Sequence, residues 1–242
     1  MEKTMSDIKN KWALVTGASR GVGQQIAIGL AQKGVNLVIH SSAVENQAKT
    51  IELVKLHNVK IVQLACDLNS PKSIESFVEQ AEEASGGIDI LYNNAAVMTQ
   101  FIELFDAPIE DYHESFQVNV LAVIQICNFF AKQMKARGYG RIINVTSGIK
   151  DTPQLDAYSI TKAALDKYTR DLAVELANTG VLANLLDPGW CRTDLGGPNA
   201  WNDVSSVLPG ALLPAMLNKQ GDEEPRAMLF AAQDYSGINF SI

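Results

Sequence analysis

The stretch Thr16-Gly17-Ala18-Ser19-Arg20-Gly21-Val22-Gly23 decides the fold of this chain. It follows a short apolar run at residues 12–16 and precedes a helical pattern of apolar side chains. Gly17 permits a tight turn, and Gly21 and Gly23 let the backbone approach a pyrophosphate. The N-terminus of the helix offers free N–H groups and a partial positive charge to phosphate. The sequence therefore predicts a dinucleotide-binding unit, with an ordinary glycine-rich turn as the alternative.

Strand-like and helix-like patterns alternate through most of the chain. Compact apolar runs, typical of buried parallel strands, lie at residues 12–16, 36–40, 60–65, 88–93, 141–146 and 181–187, and a last strand is expected at 237–241. Helical patterns lie between them, including one that opens at Pro71 and long ones at 108–137 and 156–178. The alternation predicts an α/β fold with one Rossmann-type, doubly wound parallel sheet. We expect about seven strands in the order 3-2-1-4-5-6-7, with helices on both faces.

No linker or repeat divides the chain, so residues 1–242 are expected to form a single NAD(P)-binding domain. Residues 190–224 break the rhythm, with several prolines among apolar residues. Such a stretch is typical of a substrate-binding loop or lid. Its larger apolar side chains either line a substrate pocket or seal the loop against the core; they are Trp190, Leu195, Trp201, Leu208 and Leu212.

The composition argues against several classes of partner. The chain has 27 acidic and 20 basic residues, and its formal charge of −7 disfavours nucleic acid and anionic membranes as partners. No uninterrupted apolar run approaches the roughly 18–20 residues needed to span a bilayer. The three cysteines are widely spaced with no CxxC pair, which favours a reduced, cytoplasmic location. The three histidines lack metal-ligand spacing, so no metal is expected.

The end of the second predicted strand bears on which dinucleotide is bound. An NAD site usually carries Asp or Glu there, whereas this chain has His40-Ser41-Ser42. Hydroxyl groups do not repel a 2′-phosphate, and Arg20 in the glycine loop offers it a fixed cation. The sequence therefore favours NADP(H) over NAD(H), with a merely solvated Arg20 as the alternative.

Tyr158 and Lys162 lie four residues apart on a predicted helix and so share one face. Tyrosine has a reference pKa of about 10, and a neighbouring ammonium group favours its phenolate. Ser147 follows a predicted strand, at the sheet edge where open α/β folds bind ligands. Its hydroxyl is placed to hold a carbonyl oxygen while Tyr158 transfers a proton. Thr146 competes for this role, but neighbours on a strand face opposite ways, and we favour Ser147.

These motifs together resemble the short-chain dehydrogenase/reductase family, of its compact "classical" type, over nearly the whole chain. The matching residues are the loop 16–23, Asp67-Leu68, Asn93-Asn94-Ala95-Ala96, Asn119, Ser147, Tyr158-xxx-Lys162 and Pro188-Gly189-xxx-Thr193. The stretch that begins at Asp187-Pro188-Gly189-Trp190 is similar to that of carbonyl-reductase-like members.

The resemblance implies a role for each matching residue. Tyr158 would be the general acid in reduction and the general base in oxidation. Lys162 would lower its pKa and hold the nicotinamide ribose, and Ser147 would orient the carbonyl. Asn119 would help to hold a water molecule, or would merely satisfy a backbone group. The implied cofactor-binding residues are Gly17, Ser19, Arg20, Gly21, Val22, Gly23, His40, Ser41, Ser42, Asp67 (alternatively the cap of the next helix), Leu68, Asn93, Ala95, Tyr158, Lys162, Pro188, Gly189 and Thr193.

The expected function is the reversible, NADPH-dependent reduction of an aldehyde or ketone. Three alternatives remain open: an NADP-binding sensor without turnover, an NAD-dependent alcohol dehydrogenase, and an isomerase or dehydratase on the same fold. The resemblance also implies a homodimer or homotetramer, because relatives commonly pair the two long helices between subunits.

Overall fold

The computed structural model describes residues 5–218 and 227–237, and its centre is a seven-stranded sheet in the order 3-2-1-4-5-6-7. Every neighbouring pair of strands is parallel. The strands are β1 (Trp12–Val15), β2 (Asn36–Ser41), β3 (Ile61–Ala65), β4 (Ile90–Asn93), β5 (Gly140–Val145), β6 (Val181–Asp187) and β7 (Leu229–Ala231). The predicted fold class and strand order are confirmed.

Helices cover both faces of this sheet. They are α1 (Gly21–Gln32), α2 (Ala48–Val54), α3 (Pro71–Ser85), α4 (Ile109–Phe116), α5 (Ala122–Arg137) and α6 (Asp156–Glu175). Successive residues of a strand pack into the hydrophobic cores on opposite faces of the sheet, because side chains alternate along a strand. Ala13 and Val15 of β1 pack in the core beneath α1 and α2, while Leu14 packs in the core beneath α3, α5 and α6.

Local signals in the sequence explain where two of these helices begin or end. Gly34 adopts φ +74° just after α1, a conformation that favours glycine at a helix end. Pro71 opens α3, as predicted, and the hydroxyl of Ser70 accepts the hydrogen bond of the Ser73 N–H. The alternative role of Asp67 as the cap is therefore wrong. Its carboxylate instead accepts from the N–H of Asn69.

The predicted helix 108–137 is continuous in space but not uniform. A single wide π-type turn, Gln117–Leu121, joins α4 to α5. The whole helix, Ile109–Arg137, is long and apolar enough to cross a membrane by length and composition alone. More than half of its apolar window is buried inside the protein, as in a core helix.

The segment after β6 is folded rather than structureless over its described part. Short 3₁₀ helices form at Val204–Val207 and Gly210–Ala215, and the latter is buried throughout. Leu208 and Leu212 press on α1, where a Cβ on Gly29 would lie 2.9 and 3.0 Å from their methyl groups. These two leucines therefore seal the segment against the core, which was the second of the two alternatives.

The seventh strand lies earlier in the chain than predicted. It is Leu229–Ala231, which pairs with the end of β6. A strand of three residues is too short to stand out as an apolar run. The predicted strand 237–241 begins in a turn at Gly237, and residues 238–241 lie outside the described residues.

Candidate active site

A cleft of about 610 Å³ opens at the carboxyl ends of the parallel strands. This is the edge at which open α/β sheets bind ligands, and the volume suits an organic cofactor. The predicted residues that line it are Gly17, Ser19, Arg20, Gly21, Val22, His40, Ser41, Ser42, Asp67, Leu68, Ala95, Tyr158, Lys162, Pro188 and Thr193.

The glycine loop is packed so tightly that side chains are excluded. Gly17 has φ +65°, and a Cβ there would lie 2.8 Å from Ala95 Cα. A Cβ on Gly23 would collide with the Asn94 amide and the Gly17 carbonyl. The side chain of the N-cap residue, Arg20, does not cap α1, which leaves its first N–H groups available to an anion. The loop and helix end therefore fit the pyrophosphate of a dinucleotide.

His40 forms the floor under this loop. The N–H of Gly17 donates to its Nδ1 at 3.2 Å, and its Nε2 lies 3.1 Å from the Cys66 carbonyl oxygen. Burial lowers the pKa of His40 to about 4, against a weaker opposing effect of the Cys66 hydrogen bond. The ring is therefore neutral at pH 7, and its two partners assign the proton to Nε2. His40 holds the loop in place from below.

The residues expected near a 2′-phosphate lie at the mouth of the cleft. Ser42 is exposed and accepts a hydrogen bond of 3.4 Å from Asn46, which also lines the cleft. Ser41 is buried, and its hydroxyl donates to the Ala43 carbonyl. The guanidinium of Arg20 pairs with the Asp194 carboxylate at 2.7 Å, with both side chains exposed. Arg20 is thus ion-paired rather than merely solvated.

The end of β4 requires one correction. Asn93 was expected to contact the cofactor, but its side chain is buried and donates to Asn144 Oδ1 at 2.8 Å. The residue that lines the cleft is Asn94, whose amide bonds the carbonyl oxygens of Thr16 and Gly17. Alternation along the strand explains the exchange, because neighbouring side chains face opposite ways.

Of the predicted trio, Tyr158 and Lys162 line the cleft, whereas Ser147 follows the cleft-lining Thr146 and does not itself line the cleft. Tyr158 and Lys162 are both buried on one face of α6, with Lys162 Nζ 5.5 Å from the centre of the Tyr158 ring. The ammonium donates to the Val145 carbonyl oxygen at 2.8 Å. The Ser147 hydroxyl lies close enough to the Tyr158 phenol to lower its pKa. Thr146 is engaged elsewhere, because its hydroxyl donates to Asp166.

The protonation states differ from the expectation that Lys162 favours a phenolate. Burial raises the pKa of Tyr158 to about 12, although the Ser147 hydroxyl opposes this and the charge of Asp187 adds to it. Burial also lowers the pKa of Lys162 to about 8, against the attraction of Asp166. Desolvation is the largest cause of both shifts. At pH 7 the pair is therefore a neutral phenol beside a charged ammonium.

Asn119 lies in the wide turn between α4 and α5 and takes the backbone-satisfying role. Its amide accepts from the Val97 N–H at 2.9 Å and donates to the Val97 carbonyl oxygen at 2.8 Å. It also donates to the Thr161 hydroxyl at 3.1 Å. Since Val97 lines the cleft, Asn119 fixes that wall to the helices behind it.

Comparison with known proteins identifies the family. Residues 11–202 match the family model described as short chain dehydrogenase. The chain belongs to the short-chain dehydrogenase/reductase family. It is 35% identical over 188 residues to dehydrogenase/reductase SDR family member 4 of Bos taurus. The matched region covers 77% of this chain and 67% of that protein. It is an NAD(P)-dependent oxidoreductase that acts on CH–OH or C=O groups.

Two solved structures show the same architecture. A metagenomic short-chain oxidoreductase in complex with NADP is 28% identical, with a TM-score of 0.77 over 93% of this chain and 99% of that one. NAD⁺-bound xylitol dehydrogenase, at 23% identity, has a TM-score of 0.81 over 93% of this chain and 98% of that one. At 23% identity, the likeness to xylitol dehydrogenase shows only that the two proteins share a fold.

Some residues of this short-chain dehydrogenase site were missed from sequence. Pro188 and Thr193 line the cleft as predicted, whereas Gly189 has φ +73° and does not line it. Leu195 lines the cleft, in agreement with the first of the two alternatives for its segment. The cleft-lining residues that were not predicted to bind cofactor or substrate are Asn46, Cys66, Asn69, Asn94, Ala96, Val97, Met98, Val118, Val145, Thr146 and Asp194. Many of them adjoin a motif residue. The positions on either side of each motif could therefore have been predicted to line the cleft.

Proposed function

We propose that this enzyme reduces an aldehyde or ketone to an alcohol with NADPH, reversibly. The observation that carries the proposal is the buried, protonated phenol of Tyr158 beside Ser147 at the inner end of the cleft. A neutral phenol is a proton donor, and reduction of a carbonyl requires a proton at the oxygen. The substrate carbonyl would therefore lie against these two hydroxyl groups.

Each member of the trio has a distinct part in this reaction. The nicotinamide, when bound, supplies hydride to the carbonyl carbon. Ser147 holds the carbonyl oxygen by a hydrogen bond while Tyr158 donates its proton to that oxygen. The ammonium of Lys162 stabilises the phenolate that Tyr158 leaves behind, and the Val145 carbonyl fixes the position of Nζ. In the reverse direction the same phenolate takes the proton from the alcohol.

The preference for NADPH rests on the mouth of the cleft. The end of β2 carries Ser41 and Ser42 where a carboxylate would repel a 2′-phosphate. Arg20 offers a cation that lines the same cleft. The NADP-bound neighbour has the same fold, but so does the NAD⁺-bound one. One observation favours the NAD-dependent alternative, namely that Asp194 already neutralises Arg20.

Two further features belong to the proposal. We propose a homo-oligomer, because Leu121 and Ile160 expose 52% and 40% of their surface on the helices that relatives pair. We also propose a cytoplasmic location, which is supported by three cysteines that are all free and buried.

A carbonyl panel run with NADPH and with NADH tests the function. Tyr158→Phe should lower kcat/KM at least 100-fold, because general acid catalysis contributes about that much. Tyr168→Phe is the matched control, since it removes a phenol from the same helix. That phenol donates to Asn128 and does not line the cleft. Full turnover by Tyr158→Phe would refute the mechanism. Cofactor binding without turnover of any carbonyl would favour the sensor instead.

A further inference from the structure

Asp187 places a carboxylate close to the catalytic end of the cleft, although it does not line the cleft itself. It is the last residue of β6, directly before the cleft-lining Pro188. Its Oδ1 accepts the N–H of Gly189 at 2.9 Å. Its Oδ2 lies so close to Gly148 that a Cβ there would be only 2.6 Å away. The carboxylate is therefore fixed between the loops that follow β5 and β6.

This position is next to the reacting groups. Gly148 directly follows Ser147, the proposed carbonyl-binding hydroxyl. The negative charge of Asp187 also raises the pKa of the Tyr158 phenol. The same charge also raises the pKa of Cys191, a buried thiol in the following loop.

The charge of Asp187 is not balanced by an ion pair within residues 5–218 and 227–237. Arg192, the nearest arginine in sequence, pairs with Asp203 at 3.3 Å, and Arg20 pairs with Asp194. The Lys162 ammonium faces Val145 and draws its electrostatic support from Asp166. A substrate that enters this end of the cleft therefore meets an uncompensated negative charge.

We propose that Asp187 makes this enzyme discriminate against carbonyl substrates that carry a negative charge beside the reacting carbon. Its substrates are then uncharged or cationic aldehydes and ketones, and 2-oxo or 3-oxo carboxylates are poor substrates. The proposal rests on the reduction proposed above and names the substrate class of the same site. Like charges brought together in a partly desolvated cleft repel strongly, which is a recognised way to reject a competing ligand.

The test compares benzoylformate with its uncharged amide, which have the same shape around the ketone. The measured quantity is the ratio of kcat/KM for the amide to kcat/KM for the acid. Asp187→Asn keeps an oxygen that can accept from Gly189 while it removes the charge. The ratio should fall about tenfold in this variant, as expected for one charge pair at partial burial. Any general effect of the substitution on turnover cancels in the ratio.

Glu79→Gln is the matched control, because it removes the same charge from an exposed position on α3. Its ratio should equal that of the wild type. An unchanged ratio in Asp187→Asn, or wild-type enzyme that reduces the acid as well as the amide, would overturn the assignment.

A binding measurement separates this proposal from the proposed reduction. Calorimetry with NADP⁺-loaded protein, in which no hydride is available, compares the affinities of the acid and the amide. If neither compound is reduced, the proposed reduction fails for them, and the affinities still decide the role of Asp187. Weaker binding of the acid that is relieved in Asp187→Asn supports the role, and equal binding in both proteins refutes it.

Discussion

The hydroxyl of Thr146 donates a 2.5 Å hydrogen bond to the carboxylate of Asp166, one helical turn beyond Lys162. Thr146 adjoins Ser147, so this bond ties the end of β5 to α6 directly behind the catalytic groups. The carboxylate also raises the pKa of the buried Lys162, which burial alone would lower further. Asp166 therefore positions and charges Lys162 without touching the substrate.

Asp166→Asn should shift the alkaline limb of the pH–rate profile to lower pH. The amide still accepts from Thr146 but carries no charge, so the pKa of Lys162 should fall below about 8. Lys162 is charged below its pKa and loses that charge as the pH rises through it. The variant should therefore be closest to wild type at acidic pH and several-fold slower near pH 8. Profiles of kcat/KM against pH measure the shift.

Thr146→Val is the companion variant, because it removes the hydrogen bond and leaves the carboxylate charge. Its profile should move less than that of Asp166→Asn. Equal profiles for Asp166→Asn and wild type would show that Asp166 is only structural.

His40 should make the protein less stable in mild acid. Its pKa is about 4 in the folded state, below the ordinary imidazole pKa of 6.5. The unfolded chain therefore takes up a proton between these values while the folded protein does not, so stability falls as the pH drops from about 6.5 to about 4. The full loss is about 3 kcal/mol. Urea unfolding across this range should show a correspondingly smaller loss in His40→Asn.

The control for this measurement is His57→Asn, which removes a histidine that lies outside the glycine loop. It should retain the wild-type dependence on pH. If His40→Asn lost stability in acid as steeply as the wild type, His40 would not be the neutral floor of the loop.

Gly17→Ala should weaken both the fold and cofactor binding. Gly17 and Gly138 both adopt φ near +70°, so alanine at either position meets a similar backbone penalty of about 1–2 kcal/mol. Only Gly17 also lacks room, since its Cβ would lie 2.8 Å from Ala95 Cα, whereas nothing lies within 4 Å at Gly138. Overpacking adds about 1–3 kcal/mol. Gly138→Ala is thus a matched control for backbone strain alone.

Unfolding free energies and cofactor titrations measure the two effects. Gly17→Ala should be the less stable variant and should bind cofactor more weakly, while Gly138→Ala should bind it normally. Equal free energies of unfolding for Gly17→Ala and Gly138→Ala would mean that Ala95 moves aside without a loss of stability.

The sequence predicted the sheet because long-range order here follows from local patterns. Each inner strand is a compact apolar run, and parallel strands with helical crossovers allow few topologies. β7 was not predicted, because a strand of three residues is too short to show an apolar pattern. The packing of Leu208 and Leu212 was left open between two alternatives, because it depends on the space above Gly29, which only the folded α1 provides.

Site residues were predictable by type and less so by orientation. Tyr158 and Lys162 are four residues apart, so they share a helix face wherever the helix begins. Their spacing in the sequence was therefore enough to predict that they lie side by side. Asn93 and Asn94 are adjacent and identical, and one residue of strand alternation decides which of them faces the cleft. The pKa of Tyr158 depends on how completely the surrounding chain excludes water, which spacing does not encode.

The pair of Arg20 and Asp194 yields the sharpest test of cofactor preference. The two side chains are about 69% and 75% exposed, so the ion pair is weak and screened by salt. Asp194→Asn should release Arg20 and lower the KM for NADPH several-fold, because one competing anion is gone. The KM for NADH should stay the same, since NADH lacks the 2′-phosphate. Arg20→Ala should raise the KM for NADPH about tenfold, as expected for loss of a charge-assisted contact. If both variants changed the two KM values in parallel, Arg20 would serve the shared pyrophosphate, and the preference for NADPH would be wrong.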